Sequence, residues 1–462
     1  MARFEPIELA EWCGGEWIPA VPAAVTGVGN DSRRIQPGHL YFALKGERFD
    51  GHDFVEDALS AGAAGAVVSR EWRAAKPGAR GPFLAVDDPA AALREIATAH
   101  RRKLGVPVIG ITGSAGKTTV KEIAASMLGA AMQVVRTRAN WNNNIGLPLS
   151  LLLMDRNTDV GVFEAGTNHP GEMKELCRVL RPTWGVVTNI GAGHIGFFGS
   201  LEAIAGEKAA LLESLPADGT AVLNLDSACF DILRAAAPCR VLTVALDGES
   251  GADYSCIERN AALRRARIRE SASGQEIELS GLQPGAHNVT NALLAIAAAR
   301  GFGIGWDAIA QTMTGAGALS MRWERAEIGD VAVINDAYNS NPLSAAAALE
   351  AFAEEDISGD KWVALGDMLE LGSHVEREHR ALGERVAGGP WRGLVTVGRE
   401  AALVAEGAEA KGFPRERLRS CRDNREAAAF LAARLRPGDA VLLKASRAMR
   451  FEEIVEHLKE SL

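Results

Sequence analysis

One short stretch constrains this chain more than any other: Val108-Ile-Gly-Ile-Thr-Gly-Ser-Ala-Gly-Lys-Thr-Thr119. An apolar run enters a glycine-rich turn and then passes straight into the helix-forming segment Val120–Met132. Glycines let such a turn approach a bound group closely, and the helix start directs unpaired N–H groups at anionic oxygens. Lys117 is placed to reach the β- and γ-phosphates of a nucleotide, and the Thr118 hydroxyl to ligate Mg²⁺. The candidate nucleotide contacts are therefore Gly113, Ser114, Ala115, Gly116, Lys117, Thr118 and Thr119. The spacing departs from G-x-x-x-x-G-K-[ST], because Ile111 stands where the first glycine belongs and Gly113 precedes Gly116 by three. An ordinary strand–turn–helix corner has no need of Lys-Thr directly after a glycine at a helix start.

A phosphate loop needs a sheet behind it, and the chain supplies one. From about 106 to 318, apolar β runs (Val108–Ile111, Val160–Phe163, Trp184–Thr188, Ala221–Leu225, Val241–Val244) alternate with amphipathic helices, which predicts a mainly parallel sheet covered on both faces. Residues 253–282 alternate polar and apolar positions and predict a small antiparallel patch. A second α/β unit follows, with runs at Val331–Ile334, Trp362–Leu365, Leu394–Val397 and Ala440–Leu443. Ahead of the phosphate loop, short strands (His39–Leu44, Ala64–Ser69, Phe83–Val86) surround a helical Phe54–Ala61, and a helix Ala90–Lys103 leads onward. The reading is an α/β chain of three domains, 1–88, 89–318 and 319–462. No apolar run reaches the roughly 18 residues of a spanning helix, and the N-terminus has no signal-like apolar core. Six scattered cysteines without C-x-x-C argue for reduced thiols in a cytoplasmic protein. The net charge of −9 disfavours nucleic acid and anionic membrane as partners.

Polar residues cluster where apolar strands end, the edge at which open α/β sheets bind ligands. Glu164 closes Val160-Gly-Val-Phe-Glu and suits a Mg²⁺ ligand, or else a helix cap. Trp184-Gly-Val-Val-Thr-Asn-Ile-Gly-Ala-Gly-His194 delivers His194 in the same way, either as a surface loop histidine or as a metal-shell or phosphate contact. Lys208 falls inside the apolar stripe Leu201, Ile204, Leu211, Leu212, Leu215 of a helix that Ser200 can cap. It either snorkels at the stripe's edge or meets a site. Asn140-Trp-Asn-Asn-Asn-Ile-Gly-Leu-Pro148 is a turn or a set of carboxamides for substrate, Asn143 among them. Asn288 and Asn291 share one face of a helix start, although Asn288 alone could be a cap. Asn335-Asp-Ala-Tyr-Asn-Ser-Asn-Pro342 combines Asp336, Asn339 and Asn341 at another strand end.

In this order and spacing the motifs resemble the Mur ligase family, the ATP-dependent amide-bond ligases of cell-wall precursor synthesis, over essentially the whole chain. The resemblance implies a UDP-binding N-terminal domain, a phosphate-loop ATPase domain whose T-G-x-x-G-K-T spacing accounts for Ile111, and a Rossmann-like C-terminal domain. It makes Thr118 and Glu164 ligands of the Mg²⁺ that bridges the β- and γ-phosphates, and His194 and Glu164 contributors to a second Mg²⁺. Lys208 matches a lysine often carbamylated in the family, which turns a cation into an anionic metal ligand. Asn288 and Asn291 match adenine contacts, Arg322 a γ-phosphate contact, and Asp336 a nucleotide-contacting segment. Lys117, Glu164, His194, Lys208 and Arg322 form the implied catalytic set.

Asp31-Ser-Arg, Gly38-His-Leu-Tyr-Phe-Ala-Leu and Asp50-Gly-His-Asp-Phe resemble the UDP-MurNAc-peptide domain, which places Ser32 and Arg33 on the nucleotide sugar. D-N-P-R, typical of the members that add the third peptide residue, is absent. Glu164-Ala-Gly-Thr-Asn-His169, Asp336–Pro342, Gly366-Asp-Met-Leu-Glu-Leu-Gly372 and Lys444-Ala-Ser-Arg447 resemble the members that add D-alanyl-D-alanine, with Ala445 where those usually carry glycine. Asn168, His169, Ser446 and Arg447 then join the candidate substrate contacts. The expectation is a monomer that uses ATP and two Mg²⁺ to join UDP-MurNAc-tripeptide to D-Ala-D-Ala through an acyl phosphate. The alternatives are a third-residue ligase, a folyl-polyglutamate synthetase-like ligase, which would lack the Asp31–Gly65 module, and a nucleotide-binding regulatory module that performs no ligation.

Overall fold

The computed structural model describes residues 2–46, 48–315 and 320–462. The boundary expected between 318 and 319 lies outside the described residues. Three sheets, mostly parallel, run along the chain, in keeping with the α/β expectation.

The first sheet has five strands in the order Glu16–Ile18, Phe83–Val86, Gly65–Ser69, Leu40–Phe42, Val28–Gly29. All its neighbours are parallel except Glu16–Ile18. The polar segments Asp31-Ser-Arg and Asp50-Gly-His-Asp-Phe form short 3₁₀ turns, Ser32–Arg34 and Gly51–Phe54, each held by an aspartate at its start. Asp31 accepts from Arg33 N–H, and Asp50 from His52 N–H.

The helix Pro89–Leu104 joins this sheet to the next, with Asp88 as its cap and Gly105 (φ 66°) as its stop. Its buried Leu93 and Ile96 belong to one apolar cluster with Leu40 and Phe42 on one side and Val108, Leu147 and Phe163 on the other. The first two sheets therefore share a core.

The second sheet has nine strands. Val108–Thr112 lies between Trp184–Val187 and Val160–Glu164, all parallel. The strand Val134–Arg136 forms the near edge, and Thr220–Asn224 and Arg240–Ala245 continue the far side. Tyr254–Asn260, Arg265–Glu270 and Gln275–Leu279 finish it as the expected antiparallel patch. The helix Ala286–Gly301 is buried nearly all round and packs with the phosphate-loop helix Lys117–Leu128 through Val120, Ala124, Leu293 and Ala297.

The third sheet is ordered Glu324–Ile328, Val331–Asn335, Ala440–Lys444, Lys361–Gly366, Trp391–Val397, Leu418–Cys421, with only the first strand antiparallel. A two-residue turn with both φ positive, Gly329 at 54° and Asp330 at 59°, makes that hairpin. A second shared core joins Val187 and Leu223 of the middle sheet and Ile195 and Ala209 of its helices to Ile334 and Leu365 of the last sheet and Phe352 of the helix beside it.

Sequence patterning missed the strands Glu16–Ile18, Val28–Gly29, Val134–Arg136, Glu324–Ile328 and Leu418–Cys421. All are short, and all lie at sheet edges, where one partner rather than an alternating pattern defines them. All six cysteines are free thiols. Among the described residues no helix is long and apolar enough to cross a membrane.

Candidate functional site

The strand Val108–Thr112 ends in a turn whose two glycines have no substitute. Gly113 has φ 145°, and a Cβ there would stand 1.9 Å from Thr188 Oγ1. Gly116 has φ 81°, and a Cβ would stand 2.4 Å from Asn291 Oδ1. The next strand's end holds the turn from outside. Ser114 N–H donates to Asn189 O (3.0 Å) and Ala115 N–H to Asn189 Oδ1 (2.9 Å), while Thr188 Oγ1 donates to Ala115 O (2.5 Å). The helix then starts at Lys117 with no side-chain cap, so its first N–H groups face open space. Lys117 Nζ folds back onto Gly113 O at 2.8 Å. Burial lowers the Lys117 pKa, and Arg322 pushes it the same way against the opposing charge of Glu164.

Glu164 is buried (3 % exposed) and fully engaged. Thr118 Oγ1 donates to Oε2 at 2.7 Å and Asn142 Nδ2 to Oε1 at 2.7 Å. Arg322 Nη2 donates to Thr118 Oγ1 at 3.0 Å and lies over the Tyr338 ring at 4.2 Å. The third sheet thus reaches the phosphate loop. It does so again where Asn341 Nδ2 donates to Ser114 O at 3.2 Å. Asn341 also caps the helix that Pro342 starts. Behind it Lys444 Nζ pairs with Asp336 Oδ2 (2.8 Å) and donates to the carbonyls of Asp336 and Asn339 (3.0 and 2.7 Å).

These two walls enclose a cleft of about 1470 Å³. Ser114–Thr119, Glu164, Asn168, His169, His194, Asn288, Asn291, Arg322, Asp336, Asn339 and Asn341 all line it, and Asn142, Asn143, His287, Tyr338 and Lys444 complete it. Asn288 is an interior side chain rather than a cap. Its Nδ2 donates to Pro284 O, and its Oδ1 accepts from Asn291 Nδ2 at 3.1 Å. Burial holds His287 neutral, with its pKa pushed down to about 4.

Other expected residues lie elsewhere or are engaged differently. Asn143 Oδ1 accepts from the N–H groups of Ile145 and Gly146 as a turn residue, and its neighbour Asn142 is the one that reaches Glu164. His194 Nδ1 approaches Glu370 Oε2, in the loop after the strand Lys361–Gly366, at 2.5 Å, and hydrogen bonding to His194 lowers the Glu370 pKa. Ser32 and Arg33 sit in the 3₁₀ turn Ser32–Arg34 of the first domain, outside the cleft, with Arg33 paired to Asp31 at 2.9 Å. Ser446 and Arg447 also lie outside it. Ser446 Oγ accepts from Leu369 N–H, and Arg447 pairs with Glu452.

Lys208 does not line the cleft, and it does not snorkel. It is 3 % exposed within the apolar face of its helix. Burial lowers its pKa to about 7, with Lys117 adding to the effect and Glu207 opposing it. Glu207 was not singled out by the sequence. Its carboxylate accepts from Gly171 N–H (2.7 Å) and Met173 N–H (2.6 Å), capping a helix that lacks a cap of its own. That helix follows the Asn168–His169 loop. Among the described residues no group of three or more His, Cys, Asp and Glu side chains is placed to hold a metal. Thr118 and Glu164 instead offer oxygen donors beside the place where phosphates would lie, the donor chemistry that Mg²⁺ takes.

The arrangement resembles known proteins throughout. The Mur ligase family's catalytic, middle and glutamate ligase domains match residues 24–101, 111–299 and 321–447. The UDP-N-acetylmuramoyl-tripeptide–D-alanyl-D-alanine ligase of Bacillus subtilis is 36 % identical over 445 residues, covering 95 % of this chain and 94 % of that one. A crystal structure of MurF from Acinetobacter baumannii superposes with a TM-score of 0.87 at 27 % identity, covering 99 % of each chain. The MurF ligase of Thermotoga maritima in complex with ADP superposes at 0.81, with 27 % identity over 95 % of this chain and 98 % of that one.

Proposed function

The chain belongs to the Mur ligase family of ATP-dependent amide-bond ligases, and from that premise we propose how its cleft works: it adds D-alanyl-D-alanine to UDP-N-acetylmuramoyl-tripeptide, giving the pentapeptide precursor of peptidoglycan. The observation that carries this reading is the junction of a phosphate loop with an arginine and amide wall from another domain. Such a junction brings a nucleotide and two further substrates together.

The tripeptide's terminal carboxylate attacks the γ-phosphorus of ATP, the bond to ADP breaks, and an acyl phosphate forms. The dipeptide's free amine then attacks the acyl carbon, the C–O bond to phosphate breaks, and the amine's proton is lost. Both steps bring charged or crowded groups together, so catalysis consists mainly of positioning and charge stabilisation. Lys117 exchanges Gly113 O for the β- and γ-phosphates, and Arg322 for its part meets the γ-phosphate from the facing wall. Asn288 and Asn291 contact adenine, and Asp336 the nucleotide. Asn168, His169, Asn339 and Asn341 serve the peptide substrates. Ser32 and Arg33 serve the UDP-sugar, and Ser446 and Arg447 the C-terminal-domain substrate loop.

Thr118 and Glu164 would hold a Mg²⁺ that neutralises charge on the phosphates. Lys208, with a pKa near 7, is largely an uncharged amine above neutrality and can add to CO₂ with loss of a proton. The resulting carbamate, with His194, would form a second cation site. His194 must leave Glu370 to do so. The protein is a cytoplasmic monomer in this reading.

The test is phosphate release from ATP with purified enzyme. Release that requires UDP-MurNAc-tripeptide and D-Ala-D-Ala together is expected. Release with a UDP-MurNAc-dipeptide and a free diamino acid would overturn the dipeptide-adding assignment. Failure of every acceptor pair to stimulate release would overturn ligation.

A further inference from the structure

Lys121 is a fully buried cation that the mechanism above does not use (0 % exposed). It lies one turn past Lys117 in the phosphate-loop helix and does not itself line the cleft, although Glu122 and Arg136 do. A buried ammonium is tolerated only when paired. Lys121 Nζ contacts Glu122 Oε1 at 2.7 Å, and Arg136 pairs with the other oxygen of Glu122 at 2.9 Å. Its remaining hydrogen bond goes to Thr137 O at 2.9 Å.

Thr137 is itself buried (1 % exposed) at the end of the edge strand Val134–Arg136. Its hydroxyl accepts from the backbone N–H of Glu164 at 3.0 Å. The Glu164 carboxylate in turn accepts from Thr118. Thr118 and Lys121 belong to one helix, so the chain of bonds closes on itself, from the helix to Thr137, on to Glu164 and back to the helix.

We propose that Lys121 and Thr137 are positioning residues that fix the Glu164 carboxylate against Thr118 and so set the enzyme's use of Mg²⁺ with nucleotide. The proposal rests on the reading of Thr118 and Glu164 as the cation's ligands. Neither residue touches substrate. Lys121 anchors the main chain of Thr137, and the Thr137 hydroxyl anchors the main chain of Glu164. Without the lysine a buried carbonyl loses its donor, and the strand end is free to shift.

The test compares Thr137→Val, Thr137→Ser and Lys121→Met with wild type. Thr137→Val keeps the side chain's shape and removes only the hydroxyl, and Thr137→Ser restores the hydroxyl. ADP affinity is measured by calorimetry with Mg²⁺ and with EDTA, and kcat and KM are measured for each substrate. Partners behind a metal ligand typically alter metal affinity by about 10- to 100-fold. We therefore expect Thr137→Val and Lys121→Met to weaken Mg²⁺-dependent ADP binding by about that factor and to lower kcat. KM for the UDP-peptide and for D-Ala-D-Ala should stay unchanged, as should ADP binding in EDTA, and Thr137→Ser should behave as wild type.

Equal Mg²⁺ dependence in Thr137→Val and wild type would overturn the proposal, even if Lys121→Met failed to fold. Equal loss in Thr137→Ser and Thr137→Val would also overturn it, because the hydroxyl would then not matter. A wild-type enzyme whose ADP binding is indifferent to Mg²⁺ would overturn the metal reading itself, a result separable from the other two.

Discussion

The phosphate-loop wall of the cleft comes from six consecutive residues, Ser114–Thr119, whereas the facing wall is collected from Arg322, from Asp336–Asn341 and from Lys444. The first wall is shaped by local rules, namely two glycines at positive φ, a helix start and a neighbouring strand that holds the turn. The second acquires its place only when the third domain docks, through bonds that span 204 residues (Arg322 to Thr118) and 227 residues (Asn341 to Ser114). A nucleotide site can thus be largely preformed on one side while the other side is conditional on domain position.

Breaking the preformed wall has the largest expected effect. Lys117→Ala removes a cation aimed at the phosphates and leaves the glycine geometry intact, so kcat should fall by about 10²- to 10³-fold or more with the melting temperature essentially unchanged. Near-normal turnover would mean that the loop is not where phosphoryl transfer is stabilised.

The middle effect concerns Lys208, which lies behind the same wall. Its folded pKa of about 7 is below its ordinary value of 10.5. Between those values the unfolded chain binds a proton that the folded chain refuses. Wild-type stability is therefore fully retained only above about pH 10.5, is lost as pH falls towards 7, and changes no further from this source below 7. In CO₂-free buffer, Lys208→Met should gain several degrees of melting temperature over wild type as pH falls from 10 to 7, and the gain should then level off. Activity of Lys208→Ala should drop about 10- to 100-fold and recover in part with added short carboxylates. A pH-independent melting difference, or no rescue, would separate burial of the amine from metal binding by its carbamate.

The smallest effect sharpens the conditional wall. Asn341→Ser keeps a helix cap and loses the reach to Ser114 O. One such bond contributes about 1 kcal/mol, so KM for ATP should rise about fivefold with kcat nearly unchanged. Small-angle scattering of the free enzyme should show a larger fraction with the third domain undocked. An unchanged KM would mean that the second wall is held without this contact.

The same contrast explains what could be read before the fold was known. The phosphate loop, the acidic strand end at Glu164, the antiparallel patch and the lysine inside an apolar stripe all follow from local spacing. Lys121 was legible by the rule that marks Lys208, since it shares a helix face with Ala124, Ala125 and Leu128. The Lys-Glu dipeptide beside it reads instead as an ordinary solvated pair. Asn142 could not be told from Asn143, because two adjacent carboxamides differ only in the direction the turn gives them. Glu370, Glu207 and Thr137 act on partners in other elements, and sequence spacing carries no record of those partners. The domain-edge strands escaped for a related reason, since each is defined by a single neighbour.

Glu207 has a consequence for how the protein reaches its native state. The helix Glu172–Leu180 starts at Gly171 without a cap and borrows a carboxylate from a helix 36 residues further on. A segment that short does not hold its first turn in water on its own strength. The Asn168–His169 loop is held locally, its N–H groups donating to Glu172 Oε2, but the helix turn that follows it is completed only when Glu207 has closed upon it. The phosphate loop waits on a still longer closure, since Thr188 and Asn189, which hold Ala115, lie 73 and 74 residues away, so neither loop of the cleft is finished until the middle sheet has assembled.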